Sequence, residues 1–217
     1  MADRQGNETL RIVDMTGVSR TRPGFTGGLS EIFRKPLVRG AMRCWIPTPP
    51  ASALLIALFP AAANLLLNGS IRADITLPAD IPADKTSGQA VSVLSGVQNS
   101  FSGDLEISLT PSASVREMRL SIEIYTPMML PYIMSLYDRI YDDHNFTWFS
   151  TRSFSTAEVA GTNKCLLTLS KPTPSILRIE AVADPRMRGG AGEAVHAMNL
   201  LFGLHERTGL ALKASEF

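Results

Sequence analysis

FSGDLEISLTPSASVREMRLSIEIYTP, residues 101–127, is the segment from which the fold prediction starts. Apolar and polar residues alternate strictly within Leu105–Leu109 and again within Met118–Tyr125. Side chains of a β-strand project to opposite faces with a period of two, so each run predicts a strand with one buried and one solvated face. Pro111 and the residues 112–114 break the alternation and predict a connection. Two half-buried antiparallel strands therefore lie near the middle of the chain and need a second layer over their apolar faces.

The flanking sequence adds further strands and few helices. Tyr132–Tyr141 has apolar residues at helical spacing and predicts a short helix, and residues 89–98 predict one or two helical turns. Residues 194–204 fit a strand and a helical face equally well, so both alternatives stay open. Together the patterns predict seven or eight strands and at most two short helices in an all-β fold, either a sandwich or a barrel. The additional strands are predicted at 70–77, 146–149, 165–169 and 176–182.

Composition indicates a globular chain with a sizeable core. The 217 residues are 45% hydrophobic and 19% charged, which excludes a disordered class and suits one large β domain. The formal net charge of +1 argues against tight binding of nucleic acid, because each neutralised phosphate needs a local cation. RNA remains possible only as a weak, non-specific partner.

The N-terminal part of the chain predicts an extended arm. Residues 1–30 are rich in glycine and polar residues, and they contain no apolar segment of the kind that a secretory signal requires. We divide the chain into an arm, 1–40, and a folded domain, 41–217. The basic residues of this region have two readings, a solvated surface or contact with RNA. The candidates for facing RNA are Arg20, Arg22, Arg34 and Lys35.

Residues 44–71 contain no charged residue. A membrane-spanning helix needs about 20 consecutive apolar residues. Four prolines interrupt this run, and proline inside a helix costs about 3 kcal/mol or more. The segment therefore predicts no membrane span. It is better explained by packing inside a protein assembly.

A search for catalytic chemistry finds none. Asp142-Asp143-His144 is the nearest approach to a catalytic or metal cluster, but consecutive residues rarely converge on one ion. The loop Arg188–Gly192 is followed by Glu193 where a phosphate loop needs Lys and Ser or Thr, and the spacing G-x-G-x-x-G is absent. Cys44 and Cys165 are too far apart for a disulfide framework or a zinc site. We therefore expect no enzyme, no catalytic residue, no cofactor and no metal.

The order of these segments resembles the jelly-roll capsid proteins of picorna-like positive-strand RNA viruses, with the plant secovirids most similar. Ile32–Val38 followed by Cys44-Trp45 is similar to the entry segment of that family. Residues 69–78 are similar to its first sandwich strand, and Phe101–Leu105 with Met118–Ile122 to its central hairpin. The resemblance covers roughly residues 32–204.

The resemblance implies a structural capsid protein. It implies an eight-stranded jelly roll that assembles with sister subunits into an icosahedral, pseudo T=3 shell around genomic RNA. It also implies that the protein resides in the virion, and in the host cytoplasm during assembly. Whether the chain is cleaved from a polyprotein stays open. An uncharged, proline-rich segment suits a subunit interface, where large apolar patches are found.

Two other functions are considered. The first is a non-viral β-sandwich that binds a small ligand or a glycan at a polar and aromatic site around Trp148 and Tyr141. The second is a membrane-associated protein that uses residues 51–67, which we rank last because of the prolines.

Overall fold

The computed structural model describes residues 10–214. Residues 1–9, which contain the start of the predicted arm and the segment examined for a signal, lie outside the described residues, as do residues 215–217. Nine strands are present in the described part. They are β1 (Ile12–Asp14), β2 (Thr26–Gly27), β3 (Arg43–Trp45), β4 (Asn68–Pro78), β5 (Leu105–Ser112), β6 (Met118–Tyr125), β7 (Thr147–Ser150), β8 (Cys165–Thr173) and β9 (Ile176–Ala183).

Five α-helices separate these strands within residues 10–214. They are α1 (Ser30–Val38), α2 (Pro49–Ala63), α3 (Thr86–Val97), α4 (Leu130–Tyr141) and α5 (Ala191–Leu201). Two short 3-10 turns lie at Val18–Thr21 and Thr156–Glu158.

The strands form two sheets. β1, β3 and β2 make a small parallel sheet in that order, with Val13 opposite Cys44. The larger sheet has the order β5-β4-β6-β9-β8-β7. Its four inner strands pair antiparallel, while the two edge strands, β5 and β7, each pair parallel with their neighbour. Helices α2, α3 and α4 contribute to one continuous core with the large sheet.

The all-β jelly-roll prediction is wrong, because the fold is mixed α/β. Both strands predicted from residues 101–127 exist. β6 alternates between buried and more exposed residues as predicted, whereas no residue of β5 is buried. However, they do not pair with each other. β4 lies between them, antiparallel to β6 and parallel to β5. A parallel pair requires a crossover connection, and α3 lies in the connection from β4 to β5. Alternation reveals a half-buried strand but not its partner.

The uncharged segment is a helix rather than an interface between subunits. α2 is buried over nearly its whole length, so it is apolar on all sides because it is surrounded by the core of its own chain. No helix among residues 10–214 has the length and apolar character to cross a membrane.

Two further sequence predictions are decided by the structure. The predicted helix at Tyr132–Tyr141 is confirmed as α4, and the open alternative at 194–204 is decided in favour of helix α5. The described part of the predicted arm contains β1, β2 and α1. β3, which follows the predicted boundary at residue 40, pairs with β1 and β2, which precede it. The boundary itself stays a prediction.

Candidate active site

The carboxyl ends of β2 and β3 are where an open parallel sheet usually holds its ligand. Each strand leads into a helix there, β2 into α1 and β3 into α2. Helix N-termini at such an edge present free N–H groups that favour anions. A site for an anionic ligand is therefore expected at this edge of the small sheet.

The start of α2 offers few of these N–H groups. Pro49 and Pro50 occupy its first two positions and have no amide hydrogen. The amide of Thr48 donates to Gln89 Oε1 at 2.9 Å. Gly189 lies directly against the helix, since a Cβ at this position would come within 2.5 Å of Pro49 Cα. Gly189 also has φ of +68°, so only glycine suits it on both counts. The N-terminal end of α2 is therefore covered by the loop that follows β9.

The loop after β9 contains Arg188, whose charged side chain is buried. Arg188 has no exposed surface, and its Nη1 lies 2.7 Å from Glu193 Oε2 and 3.0 Å from Glu31 Oε1. Its Nη2 donates to the carbonyl of Phe146 at 3.3 Å. Burial would lower the pKa of Arg188, but Glu193 and Glu31 raise it above its ordinary value. The guanidinium of Arg188 and its two carboxylate partners therefore connect α1, α5 and Phe146, the residue before β7.

Glu31 stays ionised in this environment. Burial by itself would raise its pKa, but the charges of Arg188, His144 and His196 and a hydrogen bond lower it to about 2. That bond comes from the hydroxyl of Thr147, which donates to Glu31 Oε1 at 2.6 Å. Glu31 stands in the first turn of α1, where it also interacts favourably with the helix dipole.

A second set of charges continues from Glu193 towards the surface. His196 Nε2 lies 3.1 Å from Glu206 Oε2, and Arg34 binds the Glu206 carboxylate through both terminal nitrogens. Burial would lower the pKa of His196, but the carboxylates of Glu193 and Glu206 raise it to about 9. His196 Nδ1 and Glu193 Oε1 are 3.7 Å apart and have no hydrogen-bond partner among the described residues.

We call these six side chains the charge cluster. They are Glu31, Arg34, Arg188, Glu193, His196 and Glu206. With His196 protonated, three cations balance three carboxylates, and each charged group already has a partner of opposite charge. Such a cluster holds elements in place and has no surplus charge for a ligand.

Neither cysteine is poised as a nucleophile. Cys44 lies at the centre of β3 and Cys165 at the start of β8, and both are fully buried. Burial raises the pKa of each thiol to about 12. The thiolate is the reactive form of cysteine, so both thiols are inert at neutral pH. Among residues 10–214, no group of three His, Cys, Asp or Glu side chains is arranged to hold a metal ion.

The structure gives separate positions to the four predicted RNA-facing residues. Arg20 donates to the carbonyl of Gly88, and Arg34 is engaged by Glu206 in the charge cluster. Lys35 and Arg22 are exposed. The four side chains are therefore not gathered into one basic site by any described contact.

Two other predicted sites lie at the end of α4 and beside β7. Asp142 and Asp143 are exposed at the end of α4, while His144 is half-buried and burial lowers its pKa. Trp148 and Tyr141 line a cavity of about 230 Å³. The hydroxyl of Tyr141 is directed away into the core, where it donates to the carbonyl of Ile56.

Sequence reasoning missed the charge cluster. Glu31, Arg188 and Glu206 are far apart along the chain, and only the i,i+3 pair Glu193 and His196 is local. No local pattern marks it, because a charged residue in a glycine-rich loop is normally solvated and Arg188 needs its partners only because the fold buries it.

The fold of the chain matches known α/β structures. It matches a probable aspartate-semialdehyde dehydrogenase from Pseudomonas aeruginosa with a TM-score of 0.65 at 13% identity, covering 89% of this chain and 73% of that one. A second match is aspartate semialdehyde dehydrogenase II from Vibrio cholerae, with a TM-score of 0.62 at 12% identity, covering 85% and 70%. At these identities the likeness establishes the shared α/β fold.

The curated relatives that the chain matches are named as one kind of reductase. The chain is 28% identical over 236 residues to the N-acetyl-gamma-glutamyl-phosphate reductase of Parabacteroides distasonis, covering 97% of this chain and 73% of the relative. It is 27% identical to that of Bacteroides thetaiotaomicron with the same coverage, and 28% identical to that of Christiangramia forsetii, covering 100% and 75%. No family model matches the chain.

These similarities correct the functional predictions. The capsid assignment is wrong, together with the sister subunits, the RNA partner and the virion location, because the relatives that the chain matches are bacterial reductases and its α/β fold matches solved dehydrogenases. The glycan-binding alternative and the expectation of no enzymatic activity are wrong for the same reason. The capsid resemblance rested on the order and spacing of short strands, which unrelated folds share.

Proposed function

We propose that this chain is the substrate-side part of an oxidoreductase that reduces an acyl phosphate to an aldehyde, with N-acetyl-γ-glutamyl phosphate as the substrate. The observation that carries the proposal is the similarity to reductases of that name over 97% of the chain. The fold shared with dehydrogenases that act in the semialdehyde class supports it.

The reaction adds a hydride and a proton to the acyl phosphate and releases phosphate. One common route first transfers the acyl group to a cysteine thiolate. Cys44 and Cys165 do not suit that route, since both are buried and their pKa values are raised to about 12. We therefore place no thioester on either residue.

The residues of this chain also do not fit a dinucleotide cofactor. The sequence lacks G-x-G-x-x-G, the first turn of α1 contains Glu31, and α2 begins with two prolines. A pyrophosphate needs glycine-rich backbone and free amides at a helix N-terminus. No step through a nicotinamide is assigned to these residues, and the contribution we propose for this chain is recognition of the substrate.

Calorimetry with the phosphonate analogue of N-acetyl-γ-glutamyl phosphate tests the proposal without any cofactor. We expect saturable binding at one site per chain. The matched control is the analogue with one methylene fewer, which should bind about 10-fold or more weakly, since one methylene is worth about 1–3 kcal/mol in a fitted pocket. Absence of binding by the folded chain, or equal binding of the two analogues, would contradict the proposed substrate.

A further inference from the structure

The start of β4 carries an exposed Asn-Gly pair. Asn68 and Gly69 are the first two residues of this strand, and both are exposed. No other asparagine of the 217 residues is followed by glycine. Gly69 has φ of +77°, in the left-handed region, and a Cβ at this position would have no atom within 4 Å. The surroundings of Gly69 therefore leave room for a reaction at its backbone nitrogen.

Strand pairing is interrupted directly after Asn68. β4 pairs with β6 at Asn68 and then shifts register, so that the next paired residue is Arg72. Pairing with β5 begins only at Ile71. Among residues 10–214, Gly69 and Ser70 thus have no partner residue in either neighbouring strand. Backbone that is not held by a ladder opens at a low free-energy cost, so this pair is freer to change its geometry than the interior of β4.

The side chain of Asn68 is also weakly restrained. Its Nδ2 donates to a backbone carbonyl at 3.5 Å, which is longer than an ordinary N–H···O hydrogen bond. The side-chain amides of three other asparagines donate at 2.8, 2.6 and 2.9 Å, namely Asn64, Asn145 and Asn199. Asn163 is fully buried. The Cγ atom of Asn68 is therefore freer than theirs to approach the backbone nitrogen of the next residue.

We propose that Asn68 is a site of spontaneous deamidation. The backbone nitrogen of Gly69 attacks Cγ of Asn68, and the side-chain nitrogen leaves as ammonia together with the proton of the Gly69 amide. The product is a cyclic succinimide. One water then opens the ring at either of its two carbonyl carbons, which gives aspartate or isoaspartate. The reaction needs no oxidant, reductant or cofactor.

The modification changes both the charge and the backbone of the chain. Either product adds one negative charge to a chain whose formal net charge is +1. Isoaspartate also routes the main chain through the former side chain, which inserts one methylene at the start of β4. The buried positions of this strand begin at Ile71, so the inserted methylene lies outside the core. We therefore expect the modified chain to stay folded and to separate from the unmodified chain by anion exchange.

Peptide mapping of the folded chain during incubation at physiological temperature and mildly alkaline pH tests the site. Asn99 is the internal control, because it is also exposed but is followed by Ser100, whose Cβ hinders the attack. We expect Asn68 to convert at least ~10-fold faster than Asn99, because glycine allows the closest approach to its backbone. Comparable rates at the two residues would overturn the proposal. So would an Asn68 that stays intact in the folded chain while it converts in urea.

Two variants test the chemistry. Asn68→Gln should abolish the acidic form, since glutamine would have to close a larger ring, and the exposed position should tolerate the change. Gly69→Ala should slow the conversion at least ~10-fold, because the added Cβ hinders the attack and disfavours the left-handed backbone. Urea denaturation establishes that each variant is folded. An acidic form that persists in Asn68→Gln, or an unchanged rate in folded Gly69→Ala, would overturn the assignment of the site.

Discussion

The hydroxyl of Tyr141 donates a hydrogen bond to the backbone carbonyl of Ile56. In an uninterrupted helix this carbonyl would accept from the amide four residues later, which is Pro60 and has no hydrogen. Tyr137, one turn earlier on α4, donates to the next carbonyl, that of Ala57, at 2.7 Å. Two tyrosines of α4 thus satisfy the backbone of α2 around its internal proline, in a region where no water competes.

Replacing Tyr141 by Phe should therefore destabilise the protein through α2. The change leaves the carbonyl of Ile56 buried without a donor, which costs about 1–3 kcal/mol. Urea denaturation measures the loss, with Tyr132→Phe as the control because Tyr132 is 51% exposed. In a Pro60→Ala background the amide donor is restored, so Tyr141→Phe should cost less there. An equal cost in both backgrounds would contradict this account of the proline.

Arg188→Met should be among the most destabilising single changes. It leaves Glu31 and Glu193 buried without their cation, and breaking a buried ion pair in this way costs about 3–5 kcal/mol. Adding Glu31→Gln and Glu193→Gln should recover part of that loss. Arg186→Met is the control, since its partner Asp80 is 62% exposed and such pairs are worth about 1 kcal/mol or less. Comparable losses of stability in the two arginine variants would refute the assignment of Arg188 as the cation that neutralises Glu31 and Glu193.

The stability should also depend on pH through His196. Its pKa is raised from 6.5 to about 9, so its contribution is fully present below pH 6.5 and is lost as the pH rises through 9. The difference in unfolding free energy between wild type and His196→Gln should shrink by roughly 2–3 kcal/mol across this range. A difference that stays constant with pH would mean that His196 is neutral in the folded protein.

Both cysteines should resist alkylation in the folded protein. Cys44 and Cys165 are buried and their pKa values are raised to about 12, so iodoacetamide should modify them at least ~100-fold more slowly than in urea. Intact mass spectrometry over time gives the rates. Rapid modification of one thiol in the native chain would identify an activated nucleophile and reopen the thioester route.

The sequence predicted individual strands and helices better than the way in which they pack together. Strand β6 and helix α4 follow from periodicity, because burial of one face fixes which residues are apolar. Strand β5 exists as predicted, but none of its residues is buried, so its alternation does not reflect a buried face. The prolines of residues 44–71 counted against a long helix. Helix α2 nevertheless continues through Pro60, since the donors that compensate for it come from Tyr137 and Tyr141, about 80 residues away. The partnership of Arg188 with Glu31 likewise depends on tertiary contacts that periodicity does not record.

Binding of a substrate analogue tests the central claim most directly. The phosphonate analogue of N-acetyl-γ-glutamyl phosphate is titrated into the folded chain in a calorimeter, with the analogue that is one methylene shorter as the control. We expect saturable binding at one site per chain, with the shorter analogue bound about 10-fold or more weakly. No binding by the folded chain, or equal binding of the two analogues, would contradict the assignment of this chain to an acyl-phosphate reductase.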